Sequence, residues 1–409
     1  TVSRKLRLGL FEVGVARNPF IKKTKHLELK KQENIPQFPK KLSGTFYAIT
    51  TFYNPFNEDI KYQNYNIFRK KLQKQHIKLI AIELSFNNNP FELKKNDADI
   101  VMQIKGNDKN ILWQKEALLN IGLNNLPKDC DKVAWLDCDI IFKNNNWVKE
   151  TSKLLETYVL VQPFDTVIRL KKNKINMSNQ EISKTKLGLG NGYKSKSVAW
   201  TVHTYGRVAR MIKPKEAGHT GFAWAARREC LEEIKFYDRN IIYTSDTLMA
   251  DAFYGLPYSN YVGTSQKGFN DYKIWAKKAF KHVNKSVFFT QGTILHLWHG
   301  EVYRRKIIGR NFLSKYNFDP KRDIKKNAKG IWEWSNPEKK TLQKKVLSYF
   351  NNYENAPIRR YILNIWATLV YYQRDNFFEY IGKIGEFIKN HNKSLHTWLV
   401  KRKPDFLKE

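Results

Sequence analysis

The sequence predicts an α/β fold: a mostly parallel central sheet flanked by helices, with a helical C-terminal region. Three observations predict it. Apolar, β-branched and aromatic runs of strand length alternate with segments of helical spacing. In order they read strand, helix, strand, short strand, helix, strand, the alternation that builds a parallel sheet. Residues 336–409 carry aromatic and aliphatic side chains at helical intervals.

The elements follow in order. Residues 1–43 are lysine-rich and contain Pro36 and Pro39, which reads as a basic extension of weak structure. GTFYAITTFYNP, from Gly44, is a strand closed by Asn-Pro. NYNIFRKKLQKQ is helical, IKLIAIELSF is a second strand and ADIVMQI a short third one. ILWQKEALLNIGLNNLP places Ile111, Leu112, Ala117, Leu118, Ile121 and Leu123 at helical spacing and ends at Leu126-Pro127. KVAWLDCDIIF is a strand again. The chain is read as residues 44–165, 166–310 and a helical region 311–409, the first two being the donor and acceptor halves that the resemblance described below implies. Within the second half, 169–197 holds eight basic residues and LGLGNGY, and reads as a mobile loop, either a lid or a solvated insertion.

The chain has 409 residues, of which 42% are apolar and 14% aromatic. That length suits about two to three domains and excludes a disordered polymer. The net charge of +35 favours anionic partners: nucleic acid, an anionic membrane or a phosphorylated substrate. A nucleic-acid-binding protein is therefore the rival class. It is disfavoured, because lysine is spread along the chain and no zinc-finger spacing, RNA-recognition octamer or basic-zipper heptad occurs. A fold-retaining scaffold without activity is a second rival. Three cysteines without CxxC spacing suggest neither a disulfide framework nor a zinc site, and point to a reduced, cytoplasmic setting. The basic start TVSRKLRLGL has too short an apolar run for a signal peptide, and YILNIWATLVYY (361–372) falls below the roughly 20 residues of a spanning helix. Peripheral association with a membrane through the C-terminal amphipathic helices stays open.

Asp-x-Asp occurs at 97–99, 129–131 and 137–139. The tripeptide is weak by itself; its place in the fold is informative. Asp129 and Asp131 precede a strand and read as a solvated turn. Asp137 and Asp139 follow Val133–Leu136, at the carboxyl end, where parallel sheets bind ligands. Strand alternation puts both carboxylates on one side and Cys138 on the other. Two nearby carboxylates are costly unless a hard cation, Mg²⁺ or Mn²⁺, lies between them.

The run AITTFYNP…IKLIAIELSF…LWQKEALLN…KVAWLDCDIIFKNNNW resembles the donor half of nucleotide-sugar glycosyltransferases of the GT-A fold, over roughly 44–165 with weaker matches to about residue 300. The resemblance implies a UDP-hexose donor, a Mn²⁺ or Mg²⁺ ion and transfer to a hydroxyl of a glycan or glycolipid. It implies that Thr51, Phe52, Tyr53 and Asn54 line the nucleobase and that Glu83 accepts from base or ribose. Trp113 and Lys115 would face the nucleotide. Asp137 would lie near ribose and metal, and Asp139 would ligate the metal. In GHTGFAWAARREC, Phe222 and Trp224 offer flat faces to a sugar, or pack inside. Asp246, in YTSDTLMADAFYG, is either a helix N-cap or the base of an inverting reaction, with Asp251 second. In TILHLWHGEVYRR, His299 is the preferred third ligand, His296 is packed or supports it, and Arg304 and Arg305 reach the diphosphate.

Overall fold

The computed structural model describes residues 35–55, 58–188, 191–206, 218–242, 244–256, 265–300 and 312–351. The expected basic extension lies outside these residues up to 34, as do Arg304, Arg305 and the helical region beyond 351.

The strands, in chain order, are β1 (Thr45–Tyr53), β2 (Lys78–Phe86), β3 (Ile100–Gly106), β4 (Cys130–Leu136), β5 (Ile140–Phe142), β6 (Leu160–Gln162), β7 (Thr166–Arg169), β8 (Lys194–Ser197), β9 (Gly218–His219), β10 (Ala223–Arg227), β11 (Val287–Phe289) and β12 (Thr293–His296), with a short pair β13 (Ile324–Lys326) and β14 (Trp332–Trp334). The helices are α1 (Asp59–Gln73), α2 (Lys115–Asn124), α3 (Trp147–Leu155), α4 (Asn179–Lys184), α5 (Val198–Tyr205), α6 (Arg228–Ile234), α7 (Ser245–Phe253), α8 (Gln266–Val283), α9 (Phe312–Lys315) and α10 (Lys340–Asn351).

Seven strands form the main sheet in the order β11-β6-β10-β4-β1-β2-β3. Only β10 runs against its neighbours, so the sheet is mostly parallel, as the alternation of strands and helices predicts. Both faces are buried. Ile49, Ile80 and Ile82 pack with Leu118 of α2 and Leu248 of α7 on one face. Ala48, Leu79 and Ala81 pack with Tyr65 and Phe68 of α1 and Trp147 of α3 on the other. Successive residues of β1 and β2 thus feed opposite cores, as a period of two requires. Gly122 lets α2 seat against β1 and β2; a Cβ there would lie 2.7 Å from both Ile49 Cγ2 and Ile82 Cδ1.

A second sheet, β5-β12-β7-β8-β9, stands beside the first. It corrects the reading of KVAWLDCDIIF as one strand. β4 ends at Leu136, the chain turns through 137–139, and β5 resumes in the second sheet, paired with β12. Strand alternation therefore does not govern Asp137 and Asp139. The expected loop 169–197 is also more ordered than its composition suggests. α4 is capped by Ser178, which exchanges hydrogen bonds with Glu181, and β8 pairs with β7. Lys196 of β8 is tied to Asp165 at 2.5 Å. The expected halves share the main sheet, because β10 and β11 close it beside β4 and β6.

Candidate metal centre and cleft

The two Asp-Cys-Asp copies separate cleanly. Asp129 is exposed in the turn before β4, as expected, whereas Asp131 is half-buried within β4. Asp129 accepts from the Thr45 hydroxyl, and Asp131 accepts from the Gly44 amide and pairs with Lys132. They clamp the amino ends of β1 and β4. Asp137 and Asp139 leave the carboxyl end of β4 toward different partners. Asp137 forms an ion pair with Lys115, the first residue of α2, and its amide donates to the Phe222 carbonyl at 2.7 Å.

Asp139 faces two histidines. Its Oδ2 lies 3.5 Å from His296 Nε2 and 3.3 Å from His299 Nε2, and the two Nε2 atoms are 3.2 Å apart. These three are the one group of potential ligands found among the described residues. β12 brings His296 to its carboxyl end, the Leu297 amide donates to the Asp139 carbonyl at 2.8 Å, and the Trp298 turn returns His299 to the same point. His296 thus lies within 0.2 Å of the distance of His299 from the carboxylate (3.5 against 3.3 Å), where the sequence left it to packing or support. The signal was present as His-x-x-His at a strand end, but histidines at that spacing are often packed.

The residues fit a divalent cation on two grounds. Asp139 Oδ1 is buried and accepts no hydrogen bond from a described residue, which is costly for a carboxylate oxygen. Three donor atoms also converge, one carboxylate oxygen and two imidazole nitrogens. That mixed set suits Mn²⁺ or another transition ion better than Mg²⁺, which prefers oxygen and water. Phe222 fixes the His296 ring from the side, at 4.9 Å between centroids. Phe222 itself sits at φ 80°, a strained conformation for a bulky side chain and one that clusters at functional sites.

Beside this centre, Lys115, Glu116, Asp137, Gly221, Trp224 and Asp246 line a narrow cleft. Burial alone would lower the Lys115 pKa, but the negative charges of Asp137, Glu116 and Asp246 hold it above its usual value. Glu116, which the sequence did not single out, is 2% exposed and accepts from Trp113 Nε1 at 2.8 Å. Burial pushes its carboxyl up to about 7 against the pull of Lys115. Asp246 is not the N-cap of α7; Thr244 holds that place without a side-chain bond, and Asp246 is the second residue of the helix. Its Oδ2 accepts from Thr220 Oγ1 at 3.3 Å and looks into the space left by Gly221, where a Cβ would come within 2.7 Å. Asp251 is buried at 2% exposure, farther down the helix.

The remaining candidates divide by burial. Phe52 packs edge-on against Tyr65, centroids 5.5 Å apart, and belongs to the core. Thr51 is half-buried on β1, in register with Ile82. Tyr53 meets Trp113 edge-to-face at 6.1 Å, so these two aromatics do come together. Asn54 caps the turn after β1, accepting from the Glu58 amide and donating to Glu92. Glu83, expected to accept from base or ribose, instead has both carboxylate oxygens engaged within the protein. It is buried, accepts from the amides of Glu92 and Leu93 and from Gln103, and so fastens the loop after β2. Burial raises its pKa despite those bonds. Trp224 stacks on Trp135 and donates to the Thr220 carbonyl at 2.8 Å; its ring is core, with one edge at the cleft.

A mostly parallel α/β sheet with a carboxylate and two histidines gathered at the exit of a central strand defines the class of architecture. No protein-family model and no curated protein sequence matches the chain. Among solved structures it is similar to glucosyl-3-phosphoglycerate synthase from Mycobacterium tuberculosis in complex with Mn²⁺, uridine-diphosphate-glucose and phosphoglyceric acid, at 12% identity over 63% of this chain and 73% of that one, with a TM-score of 0.32. It is similar to TarS 1–349 of S. aureus, at 12% identity over 78% and 83% of the two chains, TM-score 0.31. The catalytic domain of Drosophila beta1,4galactosyltransferase 7 in complex with xylobiose matches at 12% over 73% and 98%, TM-score 0.32.

Proposed function

We propose that the protein is a divalent-metal-dependent glycosyltransferase that moves a hexose from a nucleoside diphosphate sugar, UDP-linked, to a hydroxyl of a glycan or glycolipid. The Asp139–His296–His299 cluster carries this reading, because it sits at the carboxyl end of β4 beside a cleft that holds a second carboxylate, Asp246. A cation bound there would neutralise charge on the departing nucleoside diphosphate. Lys115 adds a fixed positive charge at the same end of the cleft. Tyr53 and Trp113 present an aromatic pair for the base.

Asp246 fits the part of general base. As the acceptor oxygen bonds to the anomeric carbon, the bond from that carbon to the phosphate oxygen breaks, and the hydroxyl proton passes to Asp246 Oδ2. One displacement of this kind inverts the anomeric centre. Thr220 orients the carboxylate, and Gly221 leaves room for the acceptor above it.

The test is turnover of a panel of UDP-sugars with Mn²⁺, with the product anomer read by NMR. Activity that EDTA removes and Mn²⁺ restores, and that Asp139→Asn and His296→Ala both abolish, supports the assignment. Salt-sensitive duplex binding without turnover would instead favour the nucleic-acid-binding rival.

A further inference from the structure

The loop carrying Thr220 and Gly221 also carries His219, which the reaction above does not use. His219 is half-buried on β9. Its Nδ1 faces the Gly221 amide at 3.2 Å, and its Nε2 faces the Arg169 guanidinium. Both ring nitrogens therefore meet donors. A neutral imidazole accepts at one nitrogen only and carries hydrogen on the other. Whichever tautomer is present, one contact sets donor against donor. An acceptor-only group, an oxyanion, resolves that conflict by taking hydrogen bonds from His219 and Arg169 together.

The surroundings agree. Arg169 ends β7, opposite His296 in the β7–β12 register, and is 7% exposed. Its guanidinium lies over the Phe222 ring at 5.3 Å, the same ring that packs on His296. It is thus held rigidly beside the metal cluster, where a planar fork grips an oxyanion with little loss of freedom. The space over Gly221 joins this corner to Asp246: a point at the missing Cβ lies 2.7 Å from Asp246 Oδ2 and 3.6 Å from His219 Cε1. One small ligand placed there spans both.

We propose that His219 and Arg169 form an anion subsite for the acceptor, which carries a phosphate or carboxylate close to the hydroxyl that is glycosylated. The charge of Asp246 across the notch repels the anionic end and accepts the hydroxyl end, so the acceptor binds in one orientation. This deepens the proposed transferase activity and rests on it for the identity of the ligand as acceptor.

Two measurements test it. The first compares kcat/KM for three matched acceptors on the full chain with Mn²⁺ and its best UDP-sugar: a methyl hexoside, its 6-phosphate and its 6-uronate. Charged hydrogen bonds of this kind predict a preference for one anionic acceptor of roughly 10- to 100-fold. Arg169→Gln and, as the less buried variant, His219→Gln should each bring that ratio toward one. Preference for the phosphate over the uronate, or the reverse, identifies the anion. A wild-type ratio near one overturns the subsite. So does an unchanged ratio in both variants, or a rise confined to donor KM, which would place Arg169 on the diphosphate. The second measurement needs no turnover: titration calorimetry of the methyl hexoside 6-phosphate and 6-uronate. Binding to wild type that His219→Gln weakens about tenfold supports the subsite even if no UDP-sugar is turned over, which would fail the transferase assignment alone; absence of binding by both anions overturns it.

Discussion

At the residue scale, each side chain is decided by what its neighbours can donate. Among the described residues Asp139 Oδ1 is buried with no donor, and its Oδ2 faces two imidazole nitrogens, an arrangement that a bound cation would satisfy. Asp139→Asn and His296→Ala should each lower Mn²⁺-dependent turnover by about 100-fold or more, since even outer partners of metal ligands cost roughly 10–100-fold. Bound Mn²⁺ counted by electron paramagnetic resonance checks that the ion itself is lost. Glu116 gives a different kind of prediction. Its carboxyl is raised from 4.5 to about 7 by burial, so the folded state favours the protonated form. The cost of ionising it is absent below 4.5, grows between 4.5 and 7, and stays constant above 7. Glu116→Gln keeps an acceptor for Trp113 Nε1 and removes that cost. Thermal unfolding should show the variant more stable than wild type at pH 8, by on the order of 1–3 kcal/mol, and little changed near pH 5.

At the scale of elements, the cleft depends on close approaches that glycine permits. Gly122→Ala sets a methyl against Ile49 and Ile82 and should lift α2 from the sheet at a cost of roughly 1–3 kcal/mol. Because Lys115 begins α2, donor affinity should fall together with the melting temperature. Gly221→Ala is a contrast. Its Cβ would press on Asp246 Oδ2 and not on backbone, so stability should change little while transfer falls by on the order of 100-fold. A far-ultraviolet melting curve beside the kinetic assay separates the two cases. The strands were legible because both their faces are buried, which leaves stretches such as the LIAI of KLIAIELSF apolar on consecutive residues. The break after Leu136 was not legible. Apolar residues continue through Ile140–Phe142, and only the competition between two sheets for the chain decides where one strand becomes two.

At the scale of the whole molecule, the candidate metal centre joins the two sheets: Asp139 lies between β4 and β5, and His296 ends β12. A ligand that binds only the folded arrangement stabilises it by mass action, about 2.7 kcal/mol at a hundred times the dissociation constant. Mn²⁺ should therefore raise the melting temperature, EDTA should reverse the shift, and His299→Ala should abolish it; scanning calorimetry reads all three. No helix among the described residues is long and apolar enough to cross a membrane.

The amino-acid order alone determined the layered α/β plan, the first strands up to Leu136 and the place of Asp139 just beyond the end of an apolar strand, because periodicity and the exit of an apolar strand are local properties of the chain. Other facts came only from the tertiary structure: the approach of His296 and His299 to Asp139, the pairing of Asp137 with Lys115, the burial of Glu83 and Glu116, and the meeting of Arg169 with His219. Each depends on a contact between segments far apart in sequence. Donor, acceptor and charge at such a point are fixed by packing, and packing is written in no single stretch of residues.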